Sequence, residues 1–235
     1  MALIHAFLTV TLRANQVVSG LAVTLFGTGL SGYLGQDYVG QPAGAVFGKI
    51  AVPLLSDIPI IGSILFKQDA LVYISYFLVP LAAWYFYKTR SGLFLRAMGE
   101  NPAAVDAAGI NVFGLRYLYI VIGGALAGVA GAYLSLAYAP SWLENMTAGR
   151  GWIAVALVIF ALWDPWRAMA GSYLFGGIDA LGFNLQVLGV PVSGFILNML
   201  PYIFTVLVLV LVLKRRGGRS ASPQALGLSY DREER

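Results

Sequence analysis

The chain is predicted to be all-α, a polytopic bundle of about six transmembrane helices, one of them partial. Three observations lead there. Of its 235 residues 59% are hydrophobic and 11% charged, with a mean hydropathy of +0.77, whereas a soluble domain carries about a quarter charged residues to hydrate its surface. The apolar residues arrive in runs of about 20, the length at which a helix rising about 1.5 Å per residue crosses a hydrocarbon core of roughly 30 Å. Those runs are continuous, without the alternation of barrel strands, so the backbone must satisfy its hydrogen bonds inside helices.

Residues 1–11, MALIHAFLTVT, are apolar but short, and lack the basic leader and small-residue cleavage site of a signal peptide; they read as the end of a helix whose beginning is missing. His5 has no partner acid in the sequence. Spans are expected at 16–36, 70–87, 115–137, 151–163, 168–188 and 195–213. The 37–69 connection contains Pro42, Pro53 and Pro59, and its apolar stretches IAVPLL and IPIIGSILF are too short and proline-broken to cross, so it reads as an interfacial or re-entrant external loop. The thirteen residues GWIAVALVIFALW at 151–163 are short for a crossing and run into a DPWR turn, which marks them as the partial helix. Gly124 and Gly128 form a GxxxG pair, and glycines also crowd the first and fifth spans; such positions let helix backbones approach closely in lipid. Residues 1–213 thus form a membrane domain, and 214–235, polar and Gly/Ser-containing, a tail expected to be disordered.

Lysine and arginine, which are enriched in cytoplasmic loops, orient the bundle. Arg13, the 88–116 loop with Lys88, Arg90, Arg96 and Arg116, the turn bearing Arg167, and the tail with Lys214, Arg215, Arg216 and Arg219 fall on one side of six alternating spans. The 88–116 loop and the C-terminus are therefore expected to be cytoplasmic. The loops assigned to the other side are not basic overall.

A charge at the bilayer centre costs about 2.5 to 3.5 kcal/mol even on lenient scales, so Asp179 within a span is a candidate for a solute pathway, with Asn184 and Gln186 following it. An interhelical hydrogen bond, or a place beside a watery vestibule, accounts for Asp179 equally well. Asn198, Thr24 and Thr28 are further pathway candidates, although a threonine in a helix can bond its own backbone. There is no GxxxxGK[ST] loop, no HExxH, no pair of acids in a plausible cleft and no cysteine. No catalytic, cofactor-binding or metal-ligating residue is therefore assigned. The net charge of +4 comes without a basic stripe interleaved with aromatics, which argues against nucleic acid. Any active transport would draw on an ion gradient through Asp179 or on a separate ATPase.

The 88–116 loop holds the sequence for the second route. Asn101 is a helix cap, Pro102 is favoured at a first helical position, Ala103, Ala104, Ala107 and Ala108 propagate a helix of about two turns, and Gly109 stops it. Small residues on one face, with Arg96, Glu100 and Asp106 around it, suit entry into a groove on another protein; an idle connector at the membrane surface has the same composition. The run LRAMGENPAAVDAAGINVFGLR closely resembles the coupling-helix loop of permease subunits of bacterial ABC importers in the branched-chain amino acid, ribose and nucleoside permease family, with Ala103, Ala104 and Gly109 at the alanine pair and terminal glycine. Its glutamate is not at the equivalent position of the broader importer signature. LRANQVVSGLAVTLFGTGLSGYLG at 12–35 and GRGWIAVALVIFALWDPWRAMAGSYLFGGIDAL at 149–181 are similar to spans of that family, and the resemblance covers most of residues 3–213. RANQVVSG and MTAGRGWIA look most like the subgroup paired with nucleoside-binding lipoproteins, often labelled simple-sugar permeases.

That resemblance implies a permease subunit in a bacterial inner membrane, without enzymatic activity of its own. It would be partnered by ABC ATPase subunits, a second and non-identical permease subunit, and an extracytoplasmic solute-binding lipoprotein. Arg96, Gly99, Glu100, Asn101, Pro102, Ala103, Ala104, Ala108 and Gly109 would form the ATPase-coupling surface. Members of the family carry further spans before the position of Met1. The alternatives are a branched-chain amino acid ABC permease, an ion-coupled transporter using Asp179, and a non-transporting scaffold.

Overall fold

The computed structural model describes residues 1–59, 61–147, 149–188 and 222–232, with scattered residues between 196 and 214. The chain divides into two compact units, the first comprising 1–78, 89–147 and 224–235 and the second 79–88 and 148–223.

In the first unit, helix α1 (Ala2–Ala6) runs on as a π-helical turn, Phe7–Thr11, and packs against helix α7 (Val112–Tyr133). A Cβ at Gly124 would collide with that of Ala2, so this glycine of the GxxxG pair permits the approach, while Gly128 has open space around it. Helix α2 (Gln16–Gly35) starts where the Asn15 side chain accepts the Val17 and Val18 N–H groups at 3.0 and 3.1 Å. His5 has a partner after all, Ser19 of α2, at 3.0 Å. The 37–69 connection contains no membrane-length helix among its described residues. It holds strands β1 (Ile50–Ala51) and β2 (Lys67–Gln68), paired antiparallel with Ile50 opposite Gln68, and a one-turn helix α3 (Ile61–Leu65). This small pairing is a departure from an all-α chain. It arises because the proline-broken stretch cannot continue a helix and bonds its backbone across the loop instead.

Helix α4 (Ala70–Lys88) begins at Asp69, whose carboxylate accepts the Leu71 N–H at 2.9 Å, and keeps Pro80 in its interior. The 88–116 loop folds into two helices, α5 (Arg90–Glu100), capped by Thr89, and α6 (Pro102–Ala107). Only the second was anticipated from sequence. The cluster of buried side chains in this unit, Met98, Val105, Val112 and Tyr230, lies where α5 and α6 meet the start of α7. Tyr230 belongs to the tail, so the disorder expected there does not hold for the described residues 222–232: their apolar and charged side chains find partners on α6 and α7.

In the second unit, helix α8 (Arg150–Ala161) packs against helix α9 (Pro165–Val187). Leu162 and Trp163 both take left-handed backbone between them, and Asp164 caps α9 by accepting the Arg167 N–H at 3.0 Å, with Pro165 at the first helical position. The DPWR turn is thus a C-cap followed at once by an N-cap.

Three helical stretches among the described residues are long and apolar enough to cross a membrane, Gln16–Tyr38, Ala70–Lys88 and Val112–Tyr138, and they coincide with the first three expected spans. Almost none of their residues is buried within the protein, as lipid-facing helices require. Helix α8 is as short as its sequence suggested. Helix α9 is long enough but is diluted by glycines and by Arg167, Asp179, Asn184 and Gln186. Most of the expected span 195–213 lies outside the described residues.

Candidate functional site

The α5–α6 loop is built by local chemistry. The Asn101 side chain accepts the Ala104 N–H at 3.0 Å, Pro102 presets the first turn, and Gly109 closes the helix at φ +81, where its N–H reaches the Asp106 carbonyl at 2.9 Å. Val105 points into the core, while Ala104, Ala107, Ala108 and Gly109 are exposed, so α6 presents a smooth, small-residue face bordered by Glu100 and Asn101. Of the other predicted coupling residues, Arg96 is exposed, Gly99 and Pro102 are half-buried, and Ala103 packs on the core cluster. Ala103 is therefore a supporting residue of α6, partly buried against that cluster.

Behind this face lies the far end of the chain. Asp106 accepts the Tyr230 hydroxyl at 2.9 Å and the Arg232 Nε–H at 2.9 Å. The Arg232 guanidinium also pairs with the other carboxylate oxygen, a bidentate fork that draws the Arg232 pKa upward. No signal local to residues 100–110 points to a partner 124 positions away.

A cleft of about 370 Å³ opens between α2 and the 142–147 stretch. Thr24 and Thr28 line it, joined by Ser31, Gly32, Trp142 and Asn145. Both threonine hydroxyls donate to their own helix, to the Gly20 and Thr24 carbonyls at 2.8 and 3.0 Å, which leaves their oxygens available as acceptors. Trp142 was not foreseen. Its indole packs where a Cβ at Gly35 would stand, so the glycine at the end of α2 seats the ring.

The remaining pathway candidates sit on α9. Asp179 faces Arg150 of α8 at 4.0 Å, both partly exposed, so the acid has an interhelical counter-charge. Asn184 donates to the Ala180 carbonyl at 2.8 Å in its own helix, and Gln186 is exposed near the helix end. Asn198 lies outside the described residues. Among the described residues no cluster of His, Asp or Glu is placed to hold a metal ion.

Residues 1–213 match the family described as branched-chain amino acid transport system / permease component. The chain is 40% identical to a putative glucose ABC transporter permease protein of Haloferax volcanii, over 99% of this chain and 78% of that protein. It is 39% identical to a nucleoside ABC transporter permease protein of Lactococcus lactis, over 97% of this chain and 72% of the relative. With a guanosine ABC transporter permease protein of Bacillus subtilis the identity is 32%, over 97% and 73% respectively. No solved structure matches the chain.

Proposed function

Because the chain belongs to the branched-chain amino acid transport system permease component family, we propose that it forms part of the translocation pathway of an ABC importer for nucleosides or simple sugars, with α6 as the helix that docks on the ATPase. A permease subunit of this family is not itself the catalyst of ATP hydrolysis. The substrate class follows the relatives, whose names specify glucose, nucleoside and guanosine transport. The cleft beside α2 suits such solutes: its lining combines the aromatic Trp142 with the hydroxyl and amide groups of Thr24, Thr28, Ser31 and Asn145.

The observation that carries the coupling role is the capped α6, with its exposed face of Ala104, Ala107, Ala108 and Gly109. Small side chains let another protein's groove approach the helix backbone, and buried Val105 anchors the opposite side. The excess of Lys and Arg in this loop and in the tail supports a cytoplasmic location, where an ATPase would meet it. Closure of the ATPase on ATP would then move α6 and shift the bundle between outward and inward access, a two-state change driven by differential contacts. Partnership with a second, non-identical permease subunit and an extracytoplasmic binding lipoprotein belongs to the same proposal.

The test is reconstitution of the chain with its ATPase and solute-binding protein. Gly109→Trp, which puts a bulky ring at the end of α6 and at a positive φ, is expected to abolish solute-stimulated ATP turnover. Unchanged turnover would overturn docking through this loop.

A further inference from the structure

The stretch 222–232 lies beyond residue 213, where the match to the family ends, yet it is seated on the face of α6 opposite the small residues. Tyr230 is only 7% exposed, packed among Met98, Val105 and Val112, with its ring centroid 5.8 Å from that of Phe113. Its hydroxyl and the Arg232 guanidinium engage both oxygens of Asp106, whose side chain is 4% exposed. Upstream, the Ala225 N–H donates to the Gly99 carbonyl at 2.9 Å, and the Gln224 N–H reaches the Glu100 carboxylate at 3.4 Å. The segment therefore holds α5 at its end and α6 at its centre.

Its other edge holds the membrane helices. The Leu228 carbonyl accepts from Arg116 of α7 at 3.1 Å and from Gln16, the first residue of α2, at 3.4 Å. Asp231 pairs with Arg13 in the turn before α2. Helix α2 is the one that carries Thr24, Thr28 and Ser31 along the cleft. With the segment in place, Ala104, Ala107, Ala108 and Gly109 remain exposed, so it does not act as a lid over the docking face.

We propose that residues 224–232 are a tie that transmits movement of α6 to the start of α2, with Tyr230, Asp106 and Arg232 as its positioning residues. The proposal rests on α6 being the ATPase-coupling helix. A helix as short as α6 is not stable by itself; it packs on α5 and α7, and among the described residues the tail segment is what bonds it to the start of α2. A buried ring inserted behind it and a bidentate ion pair at its centre fix the segment on α6, and the Gln16–Leu228 bond and the Arg13–Asp231 pair join it to the start of the helix that borders the cleft.

The measurement is solute moved per ATP hydrolysed, in proteoliposomes holding the full chain, its ATPase and its solute-binding protein. Tyr230→Ala, and separately a chain ended after Pro223, are expected to lower that ratio roughly tenfold, the upper range for mutations in a coupling network, while the ATPase still co-purifies with the permease. Arg232→Asp is expected to lower it less. Asp106→Arg combined with Arg232→Asp should recover most of that loss, and Tyr230→Phe should lie near wild type. A wild-type ratio in Tyr230→Ala and in the shortened chain, with Gly109→Trp inactive, would overturn the tie and leave α6 docking intact. Loss of the ATPase from the Tyr230→Ala complex would also overturn it, since the segment would then be part of the docking site. Full turnover in Gly109→Trp would overturn both.

Discussion

Asn101 and Gly109 bound α6 by different means, and each can be tested by itself. Asn101→Ala removes the acceptor of the Ala104 N–H and is expected to cost α6 about 1 kcal/mol, read as faster amide exchange at Ala104. Gly109→Ala places a Cβ at φ +81 and is expected to cost about 1 kcal/mol through the backbone alone, with no clash, because nothing lies near that position. Asp164 offers a pH readout outside the spans. Its carboxyl is held below the ordinary aspartate value, chiefly by accepting the Arg167 N–H, against a desolvation penalty and with help from the Tyr87 hydroxyl. A depressed folded pKa means that the cap contributes fully above the ordinary carboxylate range and is lost as pH falls through the depressed value. Amide protection at Arg167 should therefore survive mild acid and disappear only at strongly acidic pH, and Asp164→Asn should remove that dependence. The Asn101 cap was legible in the sequence, because a cap and its partner lie within three residues of each other, whereas Asp164 was legible only as part of a turn.

Helix pairing separates residues that composition treats alike. Gly124 and Gly128 are equivalent members of one motif, but among the described residues only Gly124 meets a neighbouring helix. Gly124→Leu is expected to lower the stability of the α1–α7 contact by about 1 to 3 kcal/mol, with Gly128→Ala neutral, both measured by thermal unfolding of the purified chain in detergent. The α8–α9 pair bears on ion coupling. Asp179 has a counter-charge on the neighbouring helix, Arg150 at 4.0 Å. Asp179→Asn, which keeps the shape and removes the charge, is therefore expected to retain ATP-dependent uptake. Abolished uptake in that variant would return Asp179 to the centre of the mechanism. Helix α5 was missed for a related reason. Its Met98 is buried against Tyr230, so the hydrophobic face that stabilises α5 is completed by the far end of the chain.

For the molecule as a whole, an importer subunit without phosphate-binding chemistry should support uptake only with its ATPase present, and collapsing ion gradients across the proteoliposome should leave uptake unchanged. Both outcomes are read in one assay. The class of the protein, its first three spans and the ends of α6 were determined by the sequence alone, because hydropathy, charge placement and capping act over a few residues or a single helix. Only the tertiary structure decided that Thr24 and Thr28 share a cleft with Trp142, that Ala103 turns inward while Ala104 faces out, and that Tyr230 closes the core behind α6. Those pairings join residues up to 218 positions apart, as Arg13 and Asp231 are, and which distant groups meet depends on the path of the whole chain.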